Sequence, residues 1–353
     1  MMYSPVLLPT LCRYDSLVKC IDSLKANAWA DKTDLIVALD YPKTKTHTEG
    51  YRAIKNYLCT EDFSAFNSFQ VIHRRRNYGA IDNFLELLRE CFSKYDRCIC
   101  LFDDLEVSSN FIQYMDEMLD ECEQDPQVAG VLGYSYPVRW EVDRNCNAFP
   151  QDFSGSIWGI GFWKNKYLEM SRYIEDGGLV KDFEEAHNGG RFSKMTDWAV
   201  SDYVNSVCYG VAGKSFINQI TDISMRIYLA VKDKRFIMPV TTKVRNLGFD
   251  GTGAYCEKIV MDENKEINSQ NYSYGTQPID GERAFVPRID WEANLSVNRG
   301  IFNEFDAVPS EKLSAALKRA EWYCSQSRSS RSMLNFKKLC RRISRGIRNR
   351  LRL

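Results

Sequence analysis

The chain has few of the residues that mark common metal and cofactor sites. Its 353 residues include only 3 histidines, and its 12 cysteines form no C-x-x-C pair. No run of eighteen apolar residues occurs, so the sequence predicts no membrane-spanning helix. Lysine plus arginine number 47, as do aspartate plus glutamate, so overall charge does not indicate a nucleic-acid partner. We find no secretory signal, which favours free thiols in a reducing compartment.

Glycine is missing from the turn after the first predicted strand. Residues 5–10 are typical of a strand, and the turn Thr10-Leu11-Cys12-Arg13 follows it. A dinucleotide-binding Rossmann turn needs glycines there, because the pyrophosphate approaches the backbone closely. A Walker A motif is absent as well. Any phosphate bound near this turn therefore has to be neutralised by side chains or by a cation.

What the sequence does contain is a regular alternation of strands and helices. Short apolar runs predict strands at residues 5–10, 34–40, 69–73, 98–102 and 129–134. Helical spacing predicts helices between them, at about 15–24, 49–58, 81–92 and 110–122. We expect Asp15 to cap the first helix, and Ser108 or Ser109 the last. This order predicts an α/β fold with a mostly parallel central sheet and helices on both faces.

Two adjacent carboxylates follow the fourth predicted strand. Asp103 and Asp104 come directly after the apolar run at residues 98–102. Open α/β sheets bind ligands at the carboxyl ends of their strands, and neighbouring carboxylates repel each other unless a cation compensates them. The functional interpretation is a divalent cation bound through these oxygens, with a phosphate on its other side. An ordinary acidic turn is the alternative.

The segment at residues 135–167 is rich in aromatic residues and glycines. It includes Tyr136, Trp140, Phe149, Phe153, Trp158, Phe162 and Trp163. Two interpretations are equally consistent with this composition, a platform on which a sugar ring stacks and a packed core. Further along, Asp197-Trp198 and Asp202 lie on a predicted helix, and a glycine-punctuated loop at 241–253 carries Arg245.

The C-terminal part is basic. Residues 325–332 form a linker rich in serine and arginine, and apolar residues at helical spacing among basic ones predict an amphipathic helix over 333–353. Such a helix lies in the headgroup plane of an anionic membrane. RNA binding would use the same charges but does not need the apolar stripe, so we favour the membrane surface. A disordered basic tail stays as the alternative.

Taken in order, these motifs resemble the GT-A glycosyltransferases, and most of all the N-acetylglucosaminyltransferase I family. That family opens with a P-V-L strand followed by an arginine, which is similar to Pro5-Val6-Leu7 and Arg13 here. Its metal motif reads E-D-D-L-E-V-x-x-x-F, and this chain has a similar stretch from Phe102 to Phe111 that lacks the leading glutamate. The family's glycine- and tryptophan-containing segment and its D-W pair are similar to residues 158–163 and to Asp197-Trp198.

The resemblance implies an inverting glycosyltransferase that uses Mn²⁺ or Mg²⁺ and a UDP-sugar, with an N-acetylhexosamine as the sugar. Asp104 would hold the metal together with Asp103, and Asp197 would be the catalytic base, with Asp202 as second choice. The resemblance implies that the donor-binding residues are Thr10, Arg13, Asp40, Asp103, Asp104 and Arg245. It implies that the acceptor-binding residues are Trp158, Gly159, Trp163 and Trp198.

On this basis the chain divides into three parts. Residues 1–134 are expected to bind the nucleotide-sugar, residues 135–307 to bind the acceptor and catalyse transfer, and residues 308–353 to form the linker and basic tail. The eukaryotic members of the family have an N-terminal membrane helix, and no such helix is predicted in this sequence. The chain is more similar to bacterial enzymes of lipopolysaccharide, capsule or exopolysaccharide synthesis, which work in the cytoplasm on the inner face of the inner membrane.

The expected partners are a UDP-sugar, a glycan or glycolipid acceptor and an anionic membrane surface, with no nucleic acid. Two other classes of protein stay open. The chain is alternatively a non-catalytic glycan-binding scaffold of the same fold, or a metal-dependent nucleotidyltransferase. The latter also places paired aspartates and a metal at the edge of a parallel sheet.

Overall fold

A computed structural model of the protein describes residues 3–136, 139–152, 156–179, 182, 220–248, 277–279 and 285–294. Its strands are β1 Val6–Thr10, β2 Asp34–Leu39, β3 Ser68–His73, β4 Arg97–Cys100, β5 Leu105–Val107, β6 Val128–Leu132, β7 Ala148–Gln151, β8 Ile160–Trp163, β9 Arg235–Pro239 and β10 Val244–Asn246. Its α-helices are α1 Tyr14–Lys25, α2 Thr48–Thr60, α3 Ala80–Phe92, α4 Phe111–Cys122, α5 Lys164–Glu175 and α6 Asp222–Lys232.

Eight of these strands form one sheet, in the order β3-β2-β1-β4-β8-β6-β9-β7. Parallel pairs are β1 with β2, β1 with β4, β2 with β3, and β6 with β9. β8 is antiparallel to both β4 and β6, and β7 is antiparallel to β9. Among these eight described strands, only β7 and β8 therefore run against the others. The predicted α/β class and mostly parallel central sheet are confirmed.

The first half of the sheet forms where the sequence predicted it. The strands β1 and β4 are buried at every residue, as is nearly all of β2, because both faces of the sheet are covered. Helices α1 to α4 bury apolar stripes at helical spacing, and α3 alone buries Phe84, Leu88 and Cys91. The periodicity of apolar residues was thus a sufficient signal for these elements.

The helix caps differ from the prediction. Helix α1 begins directly after Arg13, and no side chain caps it, so Asp15 lies in its first turn. There the carboxylate still interacts favourably with the positive end of the helix dipole. Helix α4 begins after Asn110, again without a side-chain cap. The hydroxyl of Ser108 donates to the side chain of Asn110 instead.

Two short strands form a separate antiparallel sheet that the sequence did not predict. β5 pairs with β10 through Leu105–Asn246, Glu106–Arg245 and Val107–Val244. The predicted loop at 241–253 therefore contains a strand. Each strand has three residues, which is too short for a periodic signal, and the pairing joins distant parts of the chain. This small sheet brings the end of β10 beside Asp103 and Asp104, which we call the acidic pair.

The two predicted halves of the chain share the main sheet. β8, from the second half, lies between β4 and β6 of the first, so the boundary after residue 134 does not divide the sheet. Among the described helices, none has the length and apolar character needed to cross a bilayer. The eight described cysteines are free thiols. The linker and basic tail lie outside the described residues.

Candidate functional site

The carboxyl ends of β1, β2 and β4 meet at one edge of the sheet, because these strands are parallel neighbours. β1 ends with Thr10, β2 is followed by Asp40, and β4 leads into Asp103 and Asp104. The amide of Asp40 donates to the carbonyl of Thr10 at 2.8 Å. Four of the residues that the sequence predicted for donor binding therefore lie at one edge, where α/β sheets bind ligands.

Asp103 is held by the end of β1. The hydroxyl of Thr10 donates to Asp103 Oδ2 at 2.6 Å. Burial, and next the neighbouring Asp104 carboxylate, raise the pKa of Asp103 to about 6, against the lowering effects of Thr10 and Arg13. A bound cation would stabilise the ionised form of this carboxyl. Asp103 is thus a carboxylate whose charge is incompletely compensated by its protein neighbours.

Asp104 lies between an arginine and a glycine. Arg13 Nη1 donates to Asp104 Oδ2 at 2.8 Å and lies 3.8 Å from Asp103 Oδ1. On the other side, the amide of Leu247 donates to the Asp104 carbonyl at 2.8 Å. A Cβ atom at Gly248 would lie 2.2 Å from Asp104 Oδ2, so a side chain there would displace the carboxylate. The absence of a side chain at residue 248 lets the Asp104 carboxylate lie close against the backbone there.

These groups fit a hard divalent cation. Carboxylate and hydroxyl oxygens are the ligands that Mg²⁺ and Mn²⁺ prefer, and Asp103, Asp104 and Thr10 supply them. Gly248 allows the Asp104 carboxylate its position, since a Cβ there would clash with Oδ2. Within the described ranges, no three His, Cys, Asp or Glu side chains form a cluster that could hold a metal. A cation here therefore needs further ligands, as Mg²⁺ commonly takes from phosphate and water.

Asp40 has a different environment, which the sequence analysis missed. One of its carboxylate oxygens accepts from the amides of Tyr41 at 2.8 Å and Tyr78 at 2.9 Å. The other accepts from the amide of Gly79 at 2.9 Å and from the side chain of Asn77 at 3.1 Å. Gly79 has a φ of +83°, which glycine adopts without strain. Asp40 thus supports the loop at 77–79, and its direct contact with a donor stays a prediction.

Arg245 lies on β10 and pairs with an acid on the facing strand. Its Nε and Nη2 atoms are 2.9 Å and 2.8 Å from Glu106 Oε2. Both side chains are about one-third exposed or less, at 27% and 32%. The predicted contact of Arg245 with a diphosphate stays a prediction, and in this structure its guanidinium is engaged by Glu106.

The aromatic segment contributes mainly to the core. Trp163 is 1% exposed, and its indole N–H donates to the carbonyl of Leu119 at 3.2 Å. Trp163 thus packs in the core of this structure, and its contact with an acceptor stays a prediction. Gly159 is buried too, and a Cβ there would lie 3.1 Å from the ring of Phe111. Trp158 is half-buried, so its acceptor contact stays a prediction.

The predicted catalytic residues Asp197 and Asp202, and the predicted acceptor contact Trp198, lie outside the described residues.

The sequence signals were weak for the groups that the sequence analysis missed, the loop at 77–79 and Gly248. The stretch Asn77-Tyr78-Gly79 has turn-forming residues after a strand, and Gly248 is one of several glycines in its segment. Neither pattern indicates which carboxylate the backbone will approach.

No protein-family model matches this chain, and no curated protein matches it either. Several solved structures are similar to part of it. Residues 1–349 of TarS from S. aureus match with 12% identity and a TM-score of 0.33, over 50% of this chain and 50% of that one. The mannosyltransferase PcManGT from Pyrobaculum calidifontis, in complex with GDP-Man and Mn²⁺, matches with 14% identity and a TM-score of 0.34.

The PcManGT match covers 46% of this chain and 45% of that one. A nucleotide-diphospho-sugar transferase from Desulfovibrio desulfuricans, whose assignment is itself provisional, matches with 14% identity and a TM-score of 0.23, over 47% of this chain and 65% of that one. The chain thus spans less than two thirds of each of these proteins. Similarities at these TM-scores carry no functional conclusion, which has to come from the site itself.

Proposed function

We propose that the chain is a metal-dependent, inverting glycosyltransferase of the GT-A type. It moves a sugar, an N-acetylhexosamine, from a UDP-sugar to a hydroxyl of a glycan or glycolipid. The observation that supports this is the meeting of Thr10, Asp103 and Asp104 at the carboxyl edge of parallel strands, with Asp104 packed closely against Gly248. An oxygen-rich edge site of this kind suits a cation and the diphosphate that the cation binds. The metal-motif resemblance supplies the reaction class.

The chemistry requires two kinds of group. In an inverting transfer the acceptor hydroxyl attacks the anomeric carbon as the nucleoside diphosphate leaves from the opposite face. A divalent cation, when bound, would neutralise the charge that grows on the leaving diphosphate. Asp103 and Asp104 are the residues that would hold it, and the Thr10 hydroxyl fixes the Asp103 carboxylate. Arg13 adds a positive charge at the same edge.

The acceptor hydroxyl also has to lose a proton. We assign this role to Asp197, with Asp202 as second choice, from the resemblance of Asp197-Trp198 to the family's D-W pair. A positioned general base contributes typically about 10²–10⁴-fold to the rate. One base suffices, since no covalent intermediate forms in an inverting transfer.

Nucleoside diphosphate release tests this proposal. The full chain is incubated with Mn²⁺ and a panel of UDP- and GDP-sugars, and free nucleoside diphosphate is measured. We expect turnover of a UDP-sugar that stops when EDTA is added. We expect Asp104→Ala to lower the rate by about 100-fold or more, since it loses a proposed metal ligand. The matched control is Asp31→Ala, which removes an exposed carboxylate remote from the site.

Three results would contradict the proposal. Pyrophosphate release from a nucleoside triphosphate, without turnover of any sugar donor, would indicate a nucleotidyltransferase. Turnover of a UDP-sugar that is equal in Asp104→Ala and in the wild-type chain would remove the metal assignment. A chain that binds glycans without turning over any donor would be a scaffold of the same fold.

We also propose that residues 333–353 hold the enzyme on the cytoplasmic face of an anionic membrane. The support is the basic amphipathic pattern of that segment, where each basic residue near the surface contributes about 1 kcal/mol. Co-sedimentation with phosphatidylglycerol vesicles tests it. We expect deletion of the residues after Ser327 to abolish sedimentation while transfer to a soluble acceptor continues. Sedimentation that survives the deletion would count against the anchor.

A further inference from the structure

The acidic pair already has a positive partner in this structure. Arg13 Nη1 lies 2.8 Å from Asp104 Oδ2 and 3.8 Å from Asp103 Oδ1. The three side chains are only 13–16% exposed, so this ion pair is weakly screened by solvent. The guanidinium therefore compensates the same negative charge that the proposed divalent cation would compensate.

We propose that Arg13 is a built-in counter-cation of Asp104, which a divalent cation has to displace and which moves to the diphosphate when a nucleotide binds. This inference rests on the proposed function. A guanidinium and a divalent cation repel each other strongly at such short range, so they cannot both bind Asp104 Oδ2 closely. A cation alone consequently binds the free protein weakly.

The geometry allows Arg13 to leave without disturbing Asp104. The amide of Leu247 donates to the Asp104 carbonyl at 2.8 Å, and Thr10 independently holds Asp103. The backbone of Arg13 is also fixed, since its carbonyl accepts from the amide of Leu17 at 3.0 Å as helix α1 begins. The backbone thus stays in place while the long side chain changes partner.

A diphosphate is the partner that suits the released side chain. The planar guanidinium matches phosphate oxygens with two parallel hydrogen bonds, which a carboxylate already engaged by a cation no longer offers. Cation and nucleoside diphosphate therefore bind with positive coupling, and by linkage each raises the affinity for the other by the same factor. Arg13 makes the site selective for the pair over the cation alone.

The test measures Mn²⁺ affinity directly, by electron paramagnetic resonance of free Mn²⁺, with the full chain and no nucleotide. The variant is Arg13→Gln, which keeps hydrogen-bonding capacity and removes the charge. The matched control is Arg52→Gln, since Arg52 is exposed on helix α2 and its loss changes net charge equally. We expect Arg13→Gln to bind Mn²⁺ about tenfold more tightly than wild type, and Arg52→Gln to stay within about twofold.

The second arm adds UDP. We expect UDP to tighten Mn²⁺ binding in the wild-type chain by a larger factor than in Arg13→Gln, because the variant has no arginine to release. Circular dichroism checks that both variants are folded. Wild-type binding of Mn²⁺ and UDP together, with no gain of Mn²⁺ affinity in a folded Arg13→Gln, would overturn the counter-cation and leave the proposed function intact. A wild-type chain that binds neither Mn²⁺ nor UDP would overturn the proposed function itself.

Discussion

Asp40 and Asp104 follow the two strands that flank β1, yet their carboxylates have opposite surroundings. Asp40 is 2% exposed and accepts four hydrogen bonds, three of them from backbone amides. The Asp104 side chain is 14% exposed, and its oxygen accepts from the side chain of Arg13. Fixed backbone donors bind Asp40 into the fold, whereas a long side chain can leave Asp104. The same residue type at one sheet edge is therefore structural in one place and suited to a ligand in the other.

Removing the Asp40 carboxylate should have the largest effect on stability. Asp40→Ala leaves the amides of Tyr78 and Gly79 without their acceptor, and we expect the free energy of unfolding to fall by about 2–4 kcal/mol. Asp104→Ala should change it by less than about 1 kcal/mol, because it loses the ion pair with Arg13 but also removes repulsion with Asp103. Urea denaturation measures both variants. Similar losses in the two would break the distinction between them.

The next largest effect should be on the pH dependence of stability, through Asp103 of the acidic pair. The pKa of Asp103, raised to about 6, lies above the value of about 3.9 in an unfolded chain. The folded state thus binds more protons between about pH 4 and pH 6, so this group's contribution to stability is lost as pH rises through that window.

The Asp103→Asn variant has no titratable group at this position. We expect its unfolding free energy, relative to wild type, to rise by about 1–3 kcal/mol from about pH 4 to pH 7 with EDTA present. Urea denaturation at several pH values measures this difference. The subtraction removes groups that titrate in both chains, such as Asp116. A difference that is flat with pH would mean that the charge of Asp103 is already compensated.

The smallest effect should come from the glycine beside Asp104. Gly248→Ala places a Cβ 2.2 Å from Asp104 Oδ2, so the carboxylate has to move. We expect the affinity for Mn²⁺ with UDP to fall about tenfold, or about 1.4 kcal/mol, by calorimetric titration. Gly177→Ala is the control, since its φ of +77° makes alanine unfavourable but no atom lies within 4 Å of a Cβ there. Equal affinity in both variants would contradict the role of Gly248.

Local patterns in the sequence were enough to predict part of this architecture. The strands β1 to β4 and β6 and the helices α1 to α4 form close to the predicted positions, because burial on one helical face or along a whole strand leaves a periodic signal. The antiparallel insertion of β8 between β4 and β6 left no such signal. The burial of Trp163 was not predicted either, because composition does not distinguish a core aromatic from an exposed one.

The sequence by itself determined that a parallel sheet would end in carboxylates at one edge, since strand order and residue type are local properties. The tertiary structure alone decided how each carboxylate is compensated. Asp40 accepts from a loop 37 to 39 residues away, and Glu106, two residues after Asp104, pairs with Arg245 at a separation of 139 residues. Such distant donors come together only when the chain folds, and their identity determines whether a carboxylate stays available to a ligand.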